Sequence, residues 1–339
     1  MSKFTFIFSL CCLFFFIGKT TVSAQDFTTP KTTQKLIQPP YLKVGDSVAI
    51  VAPSGILQNR KQEVATAKEL LESWGLKVMI GKHVFSQAHH FAGTDNERCE
   101  DFQKALDNSN IKAIWAARGG YGTVRILDKL DYSTFLKHPK WVIGYSDITA
   151  LHNQINTIGV ESLHALMAVS LGDASSAIKA SISTFKSTLF GKSLQYDLTG
   201  SKYNKIGETS GQLVGGNLTI LHTMLGSNTS LDMTGKILFI EEIGEYAYHI
   251  DRMLQSLKRA GYFENCKGII VGDMSKVRKN TTPWGKPIQQ LILDVVADYN
   301  FPVAFNMPAG HENDNRALIL GRTIQLKVAK DATTIRFDE

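Results

Sequence analysis

The chain has 339 residues, with 37 Lys and Arg against 31 Asp and Glu, for a formal charge of +6. So mild an excess, without any basic run interleaved with aromatics, argues against a nucleic-acid binder and fits at most a loose attraction to acidic polymers. The length is ample for two domains of roughly 100–200 residues each.

In chain order, Lys3 precedes an apolar run from Phe4 to Ile17, and small and polar residues then lead to Val22-Ser23-Ala24. This pattern predicts a secretory signal peptide, residues 1–24, cut after Ala24. The run is shorter than the ~20 residues a permanent membrane helix needs, and no later stretch is as apolar. An exported, periplasmic protein is therefore expected, with a retained N-terminal anchor as the rival. Of the four cysteines only Cys99 and Cys266 lie beyond the leader. They could bridge in an oxidising compartment, although sequence does not show that they are close.

Residues 25–40, rich in Thr, Gln, Lys and Pro, read as a tether. Residues 41–170 alternate short apolar strands with helical patterns: strands at Ser47 to Ala52, Lys77 to Ile80, Ala113 to Ala117 and Trp141 to Tyr145, helices at Lys61 to Trp74, Asp95 to Ser109, Arg125 to Asp131 and Asp147 to Ile158. That alternation predicts an N-terminal α/β domain with a largely parallel sheet flanked by helices. Residues 171–209 disperse Ser, Lys and Thr with poor periodicity and read as a linker region. Residues 210–339 predict a C-terminal, β-rich α/β domain, with strands at Gln212 to Val214, Lys236 to Ile240, Gly268 to Val271, Val303 to Asn306, Ala317 to Leu320 and Thr323 to Val328. Helices at Leu218 to Leu225, His249 to Arg259 and Ile288 to Tyr299 intervene.

The sharpest local feature is Gly144-Tyr145-Ser146-Asp147. A serine at the change from apolar strand to helix is lifted clear of the sheet edge, as in a nucleophile elbow, and the Asp147 amide at the helix start can steady an oxyanion. Taken by itself the tetrapeptide fits a plain helix cap better, and the second glycine of G-x-S-x-G is absent. Arg118-Gly119-Gly120-Tyr121-Gly122 follows another strand at the same carboxyl edge. There Gly119 or Gly120 can supply a second oxyanion amide, while Arg118 or the Pro53-Ser54-Gly55 loop can hold a carboxylate. Neither a P-loop Lys-Ser/Thr nor G-x-G-x-x-G is present, so nucleotide binding through this loop is discounted.

Nine histidines are candidate bases. His311 stands out because Pro308-Ala309-Gly310-His311 directly follows a β-like run, and without a second histidine four residues on it is not a zinc H-E-x-x-H motif. Glu241 or Glu242, at the end of the strand from Lys236, is the candidate orienting carboxylate, with a salt bridge to Arg252 or Lys236 as the alternative.

Taken together, Arg118-Gly119-Gly120-Tyr121-Gly122, Ile143 through His152, Gly215-Gly216-Asn217-Leu218, Phe239 through Glu245, Ile250 through Leu254 and Gly310-His311 resemble the LD-carboxypeptidases, serine peptidase family S66, which also contains the microcin C immunity hydrolases. The resemblance implies a Ser-His-Glu acyl-enzyme mechanism with Ser146 as nucleophile, His311 as base, Glu241 as orienting acid and the amides of Gly120 and Asp147 as oxyanion donors. It also implies a homodimer. Ser54, through its loop amide, Arg118 and Gly119 are the candidate substrate-binding residues, and neither metal nor organic cofactor is expected. The family usually has Glu-Asp where this chain has Glu241-Glu242, so the two glutamates stay open. His164-Ala165-Leu166 replaces a frequent His-Gly-Pro, which leaves substrate detail open. The expected reaction is removal of a terminal D-alanine from peptidoglycan-derived tetrapeptides. The alternatives are a microcin-like peptidyl-nucleotide hydrolase, a non-catalytic muropeptide-binding protein and a generic esterase.

Overall fold

The computed structural model describes residues 35–172 and 176–339. The expected signal peptide and the start of the tether lie outside the described residues. The end of the tether is docked: Ile37 N–H donates to Gly159 O at 2.8 Å, Glu161 N–H donates back to Ile37 O at 2.9 Å, and Trp141 Nε1–H reaches Pro40 O at 3.0 Å.

The first half runs β1 (Ser47–Val51), α1 (Lys61–Ser73), β2 (Lys77–Ile80), α2 (Asp95–Asp107), β3 (Ile111–Ala116), α3 (Val124–Leu127), α4 (Ser133–Lys137), β4 (Trp141–Gly144), α5 (Thr149–Thr157) and β5 (Ser162–His164). Next come α6 (Ser176–Leu189), β6 (Gln195–Thr199), β7 (Gly207–Asn217), α7 (Leu218–Thr223), β8 (Lys236–Ile243), α8 (Ala247–Arg259), β9 (Gly268–Ser275), α9 (Ile288–Val295), β10 (Val303–Ala304), β11 (Leu318–Leu320), β12 (Thr323–Val328) and β13 (Ala332–Phe337). Two sheets result, with order β11-β5-β4-β3-β1-β2 and β10-β9-β8-β7-β12-β13-β6.

In the first sheet β2, β1, β3, β4 and β5 are parallel and β11 joins antiparallel. Parallel strands are covered on both faces, which is why β1 and β3 read as continuous apolar runs instead of alternating. Val48 and Ile50 face a core shared with Val64 and Leu71 of α1, whereas Ala49 and Val51 face Phe102 and Leu106 of α2. The strand order turns back between β1 and β3. Crevices in open α/β sheets form beyond the carboxyl ends of the strands at such a reversal, and the loops carrying Ser54 and Arg118 lie there.

Residues 171–209, read above as a linker, carry α6 and β6. Their serines and threonines dilute the apolar signal, but Phe185 of α6 is fully buried and its ring packs 5.2 Å from Trp115 and 5.7 Å from Trp74. β6 is the outer strand beside β13, and only Tyr196 and Leu198 turn inward. The helix expected at Arg125 to Asp131 is only the short α3.

The second sheet is parallel from β7 to β10 and antiparallel from β7 through β12 and β13 to β6. One face packs on α7, α8 and α9 through Val214, Leu238, Ile240, Ile250 and Leu254, while Leu213, Ile237 and Phe239 on the other join the core of the first sheet. Between β11 and β12 the chain passes from one sheet to the other. Here the buried Arg322 donates to both oxygens of Glu161, at 3.0 and 2.6 Å, and to Tyr41 Oη at 2.9 Å. Cys99 and Cys266 are both free thiols.

Candidate active site

Ser146 opens a short 3₁₀ turn, Ser146–Ile148, between β4 and α5, with φ of +63°. A non-glycine residue in the left-handed region is costly, and persists only where its surroundings over-determine it. Here they do. The carbonyl of Gly144 accepts from His152 Nε2–H at 2.9 Å and from Ala165 N–H at 3.2 Å, and His152 Nδ1 accepts from Ser162 Oγ at 2.9 Å. Burial pushes His152 down to about 4, so its imidazole stays neutral and serves as a strut.

The Arg118–Gly122 loop lies against the elbow. A Cβ on Gly119 would sit 3.1 Å from Ser146 Cβ and 3.3 Å from Ser146 Oγ, so a side chain there would crowd the hydroxyl. Gly119 O accepts from Gly55 N–H at 3.0 Å. Gly120 has φ of +103°, which glycine alone adopts without strain, and it is exposed. Arg118 is half-buried and donates to Ile56 O, and burial together with the charge of Arg60 holds its pKa below the ordinary guanidinium value. The Ser54 side chain is fully buried and donates to Asp147 Oδ2 at 2.6 Å. Its hydroxyl is thus committed inside the protein, which leaves the backbone of this turn, and not the Ser54 side chain, as the candidate for holding a carboxylate.

The strand β8 sorts the two glutamates by alternation. Glu241 is completely buried, and its Oε2 lies 2.7 Å from His311 Nδ1. Glu242 points to the other face, accepting from Asn217 Nδ2 at 3.2 Å, Thr219 N–H at 2.7 Å, Thr219 Oγ1 at 2.8 Å and Ile243 N–H at 2.8 Å. It satisfies the start of α7, and burial, the largest influence, raises its pKa. Neither glutamate pairs with Arg252 or Lys236.

His311 is half-buried. Burial alone would lower its pKa, but the Glu241 hydrogen bond and the charges of Glu241, Glu242 and Asp273 outweigh burial and raise it. Its ring meets Tyr145 edge-on at 5.0 Å, which brings the loop to the residue preceding Ser146. Gly310 makes this approach possible, because a Cβ there would come within 2.8 Å of Asp273 Cβ and 3.2 Å of Glu241 Cβ. The buried His164, pushed down to about 3 by burial, contacts Asn315 Oδ1 at 3.1 Å, and the same oxygen accepts from Gly310 N–H at 3.1 Å. These two bonds fix the root of the His311 loop.

Asp273 escaped the sequence reading. The pairing of β8 with β9 slips so that Gly272 and Asp273 together oppose Glu241, a bulge that redirects Asp273 toward the Glu241–His311 pair. Gly272 permits the slip, since a Cβ would lie 2.2 Å from Ala309 O. Burial raises Asp273 to about 6, helped by Glu312 and Glu241 and opposed by His311 and the Glu312 N–H bond of 3.1 Å. The usable signal was an acid one residue past Val271-Gly272 at a strand's carboxyl end.

A cleft of about 430 Å³ opens beside this pair, lined by Arg60, Glu63, Tyr145, Ser170, His311 and Glu312 among others. Leu166, the departure noted beside His164, is on its wall. Among the described residues no group of three or more His, Cys, Asp or Glu is arranged to hold a metal ion, and no helix is long and apolar enough to cross a membrane.

Residues 48–165 match the model of the LD-carboxypeptidase N-terminal domain, and residues 210–326 that of the LD-carboxypeptidase C-terminal domain. A probable murein peptide carboxypeptidase of Bacillus subtilis is 34% identical over 303 residues, covering 88% of this chain and 94% of its own. The crystal structure of a muramoyltetrapeptide carboxypeptidase from Oxalobacter formigenes superposes with a TM-score of 0.78 at 28% identity, covering 86% of this chain and 99% of that one. The microcin C7 self-immunity protein MccF shares the fold, with a TM-score of 0.80 at 23% identity over 89% of this chain and 98% of that one. The chain belongs to the LD-carboxypeptidase family of peptidases.

Proposed function

We propose that this protein is an exported, periplasmic serine carboxypeptidase that hydrolyses the L,D-peptide bond before a terminal D-alanine in peptidoglycan-derived tetrapeptides, working as a homodimer. The observation that carries the reading is the 2.7 Å contact between the buried Glu241 and His311 Nδ1, on a loop whose ring packs on Tyr145, the neighbour of the strained Ser146. The carboxylate keeps the proton on Nδ1 and leaves Nε2 as the base.

Ser146 Oγ attacks the carbonyl carbon of the scissile bond while its proton passes to His311 Nε2. The carbonyl oxygen, now an anion, is held by the amides of Gly120 and Asp147. Collapse breaks the C–N bond, and the imidazolium gives its proton to the departing D-alanine amine. Water, deprotonated by the same imidazole, then hydrolyses the ester and restores Ser146. Arg118, on this loop, is the candidate for holding the terminal carboxylate. None of these steps calls for a metal or an organic cofactor. Similarity to a probable murein peptide carboxypeptidase and to a muramoyltetrapeptide carboxypeptidase supports the substrate class.

Reaction with a fluorophosphonate followed by peptide mapping tests the nucleophile. The expected adduct sits on Ser146 and is missing from Ser146→Ala, and a folded wild-type protein that forms no adduct contradicts the reading.

A further inference from the structure

The residue after the candidate nucleophile does more than expose an amide. Asp147 is 1% exposed, and its Oδ2 accepts hydrogen bonds from two different loops. One comes from Ser54 Oγ at 2.6 Å, in the turn after β1, and the other from Thr123 N–H at 2.8 Å, in the loop after β3. Ser54 Oγ and Thr123 Oγ1 lie 2.6 Å apart, and both residues are fully buried. Proton directions follow. The Ser54 hydroxyl spends its one proton on Asp147, so Thr123 must donate to Ser54.

The same two loops are tied a second time by the buried Arg98, whose Nη1 donates to Pro53 O and, at 2.8 Å, to Gly122 O. A third tie, Gly55 N–H to Gly119 O, sets Gly119 against the Ser146 side chain. The guanidinium also donates through Nη2 to Asp95 Oδ1, which anchors it to the start of α2.

We propose that the Asp147 carboxylate is a positioning residue. By accepting from Ser54 and Thr123 it locks the turn after β1 and the Arg118–Gly122 loop onto the elbow, so that the amides of Gly120 and Asp147 aim at the oxygen of the carbonyl that Ser146 Oγ attacks. The inference rests on Ser146 being the nucleophile. It explains why Ser54, Thr123 and Asp147 share one buried triangle between three loops that are distant in sequence. It also predicts that the acceptor geometry matters more than the charge, because only one carboxylate oxygen is bonded and Oδ1 has no partner.

The test compares Asp147→Ala, Asp147→Asn and Ser54→Ala by D-alanine release and by the second-order rate of phosphonylation at Ser146. Asparagine can keep an oxygen at the Oδ2 position and place its amide at the unpartnered one. Asp147→Ala is expected to lower kcat by about 100-fold with KM within about twofold, the scale of a small misplacement of reacting groups, and to slow phosphonylation in parallel. Asp147→Asn should keep at least about a third of wild-type kcat, and Ser54→Ala, which leaves the Thr123 bond, should lose about tenfold. Equal losses in Asp147→Asn and Asp147→Ala, or a loss confined to KM, would overturn the inference. So would wild-type kcat in a folded Asp147→Ala or, should that variant not fold, in Ser54→Ala. A wild-type protein inert to both substrate and phosphonate takes down the serine-hydrolase reading itself, whereas a reactive wild type with an equally reactive Asp147→Ala takes down this inference alone.

Discussion

Replacing Glu241 and Glu242 separately by glutamine separates two carboxylates that are adjacent in sequence and opposite in role. Glu241 makes a buried, charge-assisted bond of 2.7 Å to His311 Nδ1. Bonds to charged partners contribute about 1.5–3 kcal/mol, and at about 1.4 kcal/mol per tenfold their loss alone slows the reaction by roughly 10- to 100-fold. Glutamine can also present its NH₂ to Nδ1 and favour the wrong tautomer, which in a serine triad extends the loss toward about 10⁴-fold. The pH profile must move as well. Glu241 is the main influence raising His311 against burial. Without it the imidazole stays deprotonated to lower pH, and the acid limb of kcat/KM shifts down. Glu242→Gln instead turns an amide toward donors at Asn217 and Ile243, costing about 1–3 kcal/mol of stability while kcat/KM stays within about threefold. The assay is D-alanine release from pH 5 to 9, beside urea denaturation of each variant. If Glu241→Gln retains kcat/KM within threefold, or Glu242→Gln is the more damaging to activity, the assignment of roles is wrong.

Asp273→Asn should shift the same acid limb downward, because a negative neighbour that raises His311 is removed. It should also stabilise the fold above pH 6: Asp273 is raised to about 6 from 3.8, the native state holds the extra proton, and wild-type stability falls as pH rises through that window. Melting curves at pH 4 and 7 check this, and a Tm difference that does not widen with pH contradicts it. Arg322→Ala strands the buried Glu161 and should cost about 3–5 kcal/mol in chemical denaturation, since both carboxylate oxygens lose their donor. Gly119→Ala should fold but lose roughly 100-fold in kcat, because its methyl group would press within 3.3 Å of Ser146 Oγ.

The α/β architecture was legible because buried parallel strands advertise themselves: Ser47–Val51 and Trp141–Gly144 are apolar runs too short for helices and flanked by turn residues. Where sequence reasoning ran short, tertiary packing decided. α6 is held by Phe185 among two tryptophans and not by any strong periodicity. β11 is a three-residue apolar segment whose place beside β5, away from its chain neighbour β12, depends on a crossing held by the Arg322–Glu161 pair and by backbone bonds to Leu213. At the site, spacing brought Ser146, Glu241 and His311 into consideration but did not say which glutamate faces the histidine, because that follows from the register of β8. Asp273 was hidden by a bulge, a feature of two paired strands that neither strand's sequence announces. The inward bond of Ser54 to the buried Asp147 joins residues 93 apart and has no sign in either local sequence.

The most direct test of the central claim is release of free D-alanine from purified muropeptide tetrapeptide, followed by mass spectrometry for the wild-type protein and Ser146→Ala, with the terminal L-alanine isomer as control. The account predicts release from the D-isomer alone, abolished in Ser146→Ala. Release that survives in Ser146→Ala, or a folded wild-type protein that leaves the tetrapeptide intact, would contradict it.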